Sequence, residues 1–249
     1  MRYTFLSLVF LLAVSFVSAQ EKPPNVFSVE ADFFTGSILE HNPDISHLIS
    51  EHPSGVILSY NRKTFGFREA ERRYNYPDWG FTFAYQDFKS EPLGKNLSLY
   101  GHFNWYFLNR HLVARFGQGI AYNTNPYDPE TNFLNNAFGS SLLSTTFLKA
   151  NYVDENVYDG FGFHAGFTII HYSNANLKAP NSSTNTWAFN AGVSYLVDHE
   201  NVPSYDTTDD GPGSSHAEKI KYNLVLRGGV NESDVVGSGQ FPFLSLIHI

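Results

Sequence analysis

Phe161-Gly162-Phe163-His164-Ala165-Gly166-Phe167-Thr168-Ile169-Ile170-His171-Tyr172-Ser173 is a run in which two kinds of residue take turns. Successive side chains of an extended strand leave opposite faces. One parity here carries Phe161, Phe163, Ala165, Phe167 and Ile169, and the other carries the smaller or more polar Gly162, His164, Gly166 and Thr168. The run therefore predicts a β-strand with one apolar face, and His171 and Ser173 continue that apolar parity. In a soluble protein the apolar face would be the core. In a membrane barrel it is the lipid-facing exterior, with the polar residues inside.

Working outward from this run, the same period of two recurs. Phe81, Phe83 and Tyr85 alternate with Thr82, Ala84 and Gln86; Leu97, Leu99, Phe103, Trp105 and Phe107 with Ser98, His102 and Asn104; Trp187, Phe189, Val193, Tyr195 and Val197 with Ala188, Asn190, Gly192 and Ser194. With turn chemistry between them, such segments predict strands near 26–36, 54–62, 79–88, 96–108, 111–122, 140–153, 159–173, 185–197 and 219–231. Strands of about 10 residues suit a tilted membrane crossing. The expected fold class is all-β: a transmembrane, antiparallel, up-and-down barrel of about eight strands between residues 26 and 197. An odd ninth strand implies either further barrel strands or a C-terminal extension, because bacterial barrels close with an even number.

Composition agrees with that class. Aromatic residues make up 16% of the 249, with 23 Phe and 15 Tyr, yet the mean hydropathy is only -0.25. Alternating lipid-facing and lumen-facing side chains give this combination, although a large secreted β-sandwich could also give it. Residues 1–19 read as a signal peptide: Arg2 near the start, an apolar stretch from Phe5 to Val17, and Val17-Ser18-Ala19 before Gln20. Its removal takes away Arg2 and moves the formal charge of -8 to -9. This acidity argues against a nucleic-acid partner. The chain has no cysteine, which excludes disulfides, a thiol nucleophile and a lipobox anchor.

With the N-terminus in the periplasm, odd strands run outward. The short link Asn109-Arg110 then lies on the periplasmic side, and links 123–139 and 174–184 lie outside. His171 and Ser173 come to the extracellular rim. After Val197 the polar, Gly/Pro/Ser-rich residues 198–217 read as a linker, and 218–243 as the start of C-terminal strands or an extension. Residues Leu244 to Ile249 are what a transposon-end sequence used in sequencing libraries encodes when translated. They are expected to be foreign to the natural chain, with the native C-terminus missing.

His171 and Ser173 are two residues apart, which places their Cα atoms about 6.5–7 Å apart on one face of a strand. A serine hydroxyl and an imidazole can meet at that spacing, and a lipid-facing hydrolase suggests a lipid substrate. The residues His171, Ser173, Asn174, Pro180 and Asn181 resemble the signature of the outer-membrane lipid A 3-O-deacylases (PagL-type, often labelled acyloxyacyl hydrolases): His-x-Ser-Asn, then Pro-Asn, then a carboxylate fourteen residues after the histidine. Here Asn185 stands at the position of that carboxylate. Trp79-Gly80 and Asn132-Phe133 resemble the longer versions from Bacteroidetes-like bacteria.

The resemblance implies an eight-stranded outer-membrane barrel whose substrate is lipid A of lipopolysaccharide. It implies a serine esterase removing an ester-linked 3-hydroxyacyl chain, with Ser173 as nucleophile and His171 as general base. Asn174 and Asn181 would stand near the oxyanion, and neither metal nor cofactor is needed. Asn185 would orient His171 without supplying a negative charge; in a Ser-His-Asp enzyme such an amide costs about 10⁴ in kcat. Asp128 and Glu130 are the nearest other acids by topology. A homodimer is allowed. The alternative readings are a non-catalytic structural or small-pore barrel, in which the same residues only cap the rim, and a phospholipase or general esterase on the same scaffold.

Other residues carry less. The cluster Arg62, Lys63, Arg68, Arg72 and Arg73 is expected to be a solvated periplasmic turn. His41, His47 and His52 match no helical metal spacing. His102 and His164 fall on the lumen parity and are expected to be interior hydrogen-bonding groups.

Overall fold

Eight strands follow one another around a closed antiparallel barrel: β1 (Phe27–Ile38), β2 (Ser54–Arg62), β3 (Asp78–Asp87), β4 (Lys95–Phe107), β5 (Leu112–Asn123), β6 (Leu142–Tyr158), β7 (Phe161–Ser173) and β8 (Thr184–Val197). β8 returns to pair with β1, from Phe27 opposite Val197 to Ile38 opposite Thr186. The computed structural model describes residues 25–207, 224–233 and 235–248. The expected signal peptide, residues 1–19, lies outside the described residues, as do positions 208–217 of the expected linker.

The two faces have the chemistry that the alternation predicts. Phe33, Phe81, Leu99, Phe116, Phe167 and Val193 all point outward and are exposed. Among the described residues, charge reaches outward strand positions only near strand ends, as at Arg62, Asp87, Lys95 and Asp154. Such a belt is stable against hydrocarbon and unstable against water.

The lumen is filled in two zones. Toward the end that carries the β7–β8 connection, Phe34, Ile57, Tyr100, Phe147 and Tyr172 form a fully buried aromatic and aliphatic plug, joined by Phe88 and Phe138 from the connections above. Below it lies an ionic layer. The Arg115 guanidinium donates to Glu30 at 2.9 Å, and the Lys149 ammonium sits 2.9 Å from both oxygens of Asp32. His164 Nε2 lies 2.7 Å from Asp32. Buried charges persist when paired and hydrogen-bonded in this way. Gly192 makes room for the layer, since a Cβ there would stand 2.3 Å from the Ala31 carbonyl and 2.9 Å from His164 Nε2.

At the opposite end, Lys63 corrects the expectation of a solvated turn. It is buried, its ammonium 3.0 Å from Asp78 and 2.5 Å from Glu155. Burial pulls its pKa down, but the two carboxylates outweigh burial and hold it well above the ordinary lysine value. Arg72, on a short helix (Glu69–Arg73), is also partly buried and donates to the Gly66 carbonyl.

The barrel closes at eight, so the expected ninth strand is not part of it. β9 (Leu224–Glu232) pairs instead with β10 (Gln240–His248) in a separate two-stranded sheet. β10 takes in Leu244 to His248. The turn end of this hairpin touches the β7–β8 connection: Glu232 Oε2 accepts the Ala179 N–H at 2.7 Å, and the Glu232 N–H donates to the Asn176 carbonyl at 2.8 Å.

Candidate active site at the β7–β8 rim

His171 stands directly opposite Asn185 in the β7–β8 ladder. Both side chains point outward, and His171 Nδ1 lies 2.8 Å from Asn185 Oδ1. An amide oxygen accepts, so the Nδ1 proton is held there and Nε2 is left with its lone pair. Backbone pairing fixes this contact more than side-chain choice does, because a one-residue slip would turn every outward group inward. Asp128, considered above as another acid, caps its own turn instead, accepting from the backbone N–H groups of Glu130 at 2.9 Å and Thr131 at 2.8 Å. Those bonds hold its pKa below the ordinary value.

Ser173 ends β7 and opens the connection. Its Oγ lies 3.0 Å from Asn181 Nδ2 and 3.2 Å from Asn181 Oδ1, and it accepts the Ala175 N–H at 3.0 Å. Among the described residues no hydrogen bond joins Ser173 to His171. Asn181 is itself fixed, because its Oδ1 accepts the Asn174 N–H at 2.9 Å and its Nδ2 donates to Asn176 at 2.7 Å. Asn174 is buried, and its amide N–H groups are spent inside the connection on the carbonyls of Lys178 and Pro180. Its side chain holds the turn, while Asn181 and the Ala175 N–H face the serine. Ala175 and Asn176 both take left-handed backbone, φ 55° and 58°, which for alanine costs about 1–2 kcal/mol. Strain of this kind concentrates where a site must hold a definite shape.

The connection is braced on three sides. Ser182 and Ser183 donate to the carbonyls of Asn136 and Ala137 in the β5–β6 link, the Leu39 N–H donates to Asn185 O, and Glu232 of the hairpin holds Ala179.

A group that the sequence reading missed adjoins this site. Gln118, Thr146, His171 and Asn185 are successive cross-strand partners on β5, β6, β7 and β8. Thr146 Oγ1 donates to Gln118 Oε1 at 2.8 Å, and Gln118 Nε2 donates to Ser144 Oγ at 3.3 Å, with Ser144 directly opposite Ser173. The available signal was a polar residue on an otherwise apolar parity. The row itself needs the register, which sequence alone does not supply.

Glu30, Asp32 and His164 bring three ligand atoms within 4.8 Å of one another. Lys149 sits against both carboxylates, 2.9 Å from Asp32 and 3.5 Å from Glu30. Its ammonium takes the position that a metal cation would need.

Fold and site together define a closed barrel of the membrane type, with a serine, a histidine and an orienting amide gathered on its outer face at one rim. A family model described as lipid A 3-O-deacylase (PagL) matches residues 54–194. That is more than half of the chain and takes in all five predicted site residues, and the chain belongs to this family. Among solved structures, the chain resembles the crystal structure of the outer membrane enzyme PagL at 19% identity, over 66% of this chain and 97% of that one, with a TM-score of 0.46. It also resembles Neisserial surface protein A at 14% identity, over 68% and 96% of the two chains, with a TM-score of 0.38. No curated protein matches it.

Proposed function

We propose that this protein is a serine esterase of the bacterial outer membrane that removes an ester-linked 3-hydroxyacyl chain from lipid A, working at the extracellular rim. The observation that carries the reading is the outward-facing set Ser173, His171 and Asn185, in a chain whose family is that of lipid A 3-O-deacylases. With both termini of the barrel in the periplasm, as bacterial barrels have them, the β7–β8 connection lies in the outer leaflet. A lipid ester reaches such a site from the membrane plane.

In the reaction, Ser173 Oγ attacks the ester carbonyl and passes its proton to His171 Nε2. The carbonyl oxygen becomes an oxyanion facing the Asn181 amide and the Ala175 N–H. The ester C–O bond then breaks, and the departing sugar hydroxyl takes the proton from His171. Water, giving a proton to His171, attacks the acyl-Ser173 carbonyl, and the acyl–Oγ bond breaks as His171 returns that proton to Ser173, which releases the hydroxy acid. The first step requires the Ser173 hydroxyl to turn from Asn181 toward His171, a change between staggered rotamers, and catalytic contacts commonly tighten only once substrate is bound. Asn185 holds His171 Nδ1–H, and so the reactive tautomer, without adding charge.

The test is mass spectrometry of lipid A after incubation with the refolded protein and, separately, with its Ser173→Ala form. Loss of one hydroxyacyl mass with the native form only is expected. No mass change with a folded native preparation would leave a non-catalytic barrel.

A further inference from the structure

On the far side of His171 from Asn185 lies a polar island that the mechanism above does not use. Gln118 is exposed on the outer face of β5, yet its outward neighbours along that strand, Phe116 and Ile120, are also exposed and apolar. On β6, Ser144 and Thr146 lie between outward Leu142 and Leu148. These residues therefore do not mark the edge of the apolar belt. They interrupt it, next to the catalytic pair.

A carboxamide and two hydroxyls facing hydrocarbon are unfavourable unless their polar atoms find partners. The island satisfies itself only in part. One amide N–H of Gln118 and the Ser144 hydroxyl proton remain after the two internal bonds are made. Those donors, with the lone pairs of Thr146, suit a ligand hydroxyl, which both donates and accepts.

Position says which hydroxyl. Ser144 faces Ser173 and Thr146 faces His171 across the ladder, and facing side chains on adjacent strands stand about 4.5–5.5 Å apart at Cβ. The apolar row Phe116, Leu148, Ile169 and Trp187 runs directly beneath. An acyl chain running along that row from the ester carbonyl that Ser173 attacks carries its third carbon, the one that bears the hydroxyl, past the island. Sugar and phosphate stay above, at the rim.

Resting on the esterase reading, we propose that Gln118, Ser144 and Thr146 are positioning residues that bind the hydroxyl of the departing acyl chain and make the enzyme selective for hydroxyacyl over plain acyl esters. A site built to hydrogen-bond a hydroxyl rejects the analogue that lacks it, because the site's own polar groups are then left unpaired.

The experiment uses the full chain in detergent micelles with two probes: a glucosamine bearing a 3-hydroxyacyl ester, and its counterpart bearing a plain acyl ester of equal length. The native protein is expected to prefer the hydroxyacyl ester by about tenfold or more in kcat/KM. In a Gln118→Leu, Thr146→Val double variant the ratio falls toward one, through a raised KM for the hydroxyacyl ester. Ser144→Ala is a milder second variant should the double one fail to fold, as judged by heat-modifiable gel mobility. Equal turnover of both esters by the native protein, or an unchanged ratio in the folded variants, would overturn the inference. Release from neither ester by the native protein would instead overturn the esterase reading, and this inference with it.

Discussion

Strand β7 carries two histidines, and they are treated in opposite ways. His164 faces the lumen, is 3% exposed and meets the Asp32 carboxylate, which Lys149 and Asn190 also bind. His171, seven residues on and of opposite parity, faces outward and meets only the amide of Asn185. By pairing alone His164 looks more like a triad histidine, since it has the carboxylate. Among the described residues no serine is hydrogen-bonded to it, and it faces the lumen and not lipid. The lumen carboxylate serves packing, whereas the outer imidazole, held through Nδ1 alone, is the one that the proposed mechanism uses.

The largest expected effect falls on the outer histidine's side of this contrast. Ser173→Ala should lower acyl release by about 10⁴-fold or more, as loss of a nucleophile does, and should leave the urea unfolding midpoint in place. A variant retaining a tenth of native release would remove Ser173 from the chemistry. Asp32→Ala attacks the inner histidine and should cost about 3–5 kcal/mol of stability, because it leaves Lys149 and Arg115 sharing Glu30 alone. Equilibrium unfolding in urea reads this directly, and if stability held while activity vanished, the roles given to the two histidines would be reversed. Phe167 lies between them and points outward, so Phe167→Arg should cost about 2–4 kcal/mol in lipid if it sits near the bilayer midplane. A neutral result in a vesicle refolding assay would contradict the lipid-facing assignment. The smallest effect tests the amide itself. Asn185→Glu should raise kcat by about tenfold or more, within the about 10⁴ that the reverse change costs elsewhere. A steady-state rate no higher than the native one would mean that an amide suffices here.

The strands were legible because a two-residue period survives without knowledge of partners. β2 matches its predicted bounds, and most other barrel-strand ends fall within two residues of theirs. β6 runs on to Tyr158 because a register shift between Asp154 and Tyr158 lets the strand continue past its regular pairing, which periodicity does not foresee. The burial of Lys63 was illegible for a different reason: one of its carboxylate partners, Glu155, is 92 positions away. The charge cluster looked solvated because its neutralising groups are distant in sequence. At the site, the resemblance to the family signature pointed to His171, Ser173, Asn181 and Asn185, and strand parity gave the outward direction of Asn185 that the ladder shows. The spent amide N–H groups of Asn174 and the island at Gln118 depend on loop closure and register, which no local pattern encodes.

The plugged lumen has a kinetic consequence. Aromatic side chains and ion pairs fill the interior among the described residues, so under the proposed activity ester and product would move sideways in the film around the protein and not through it. The meaningful substrate concentration is then a mole fraction in the leaflet, not molarity in the buffer. Diluting the substrate with inert lipid should slow turnover, while diluting the whole suspension with water should leave it unchanged.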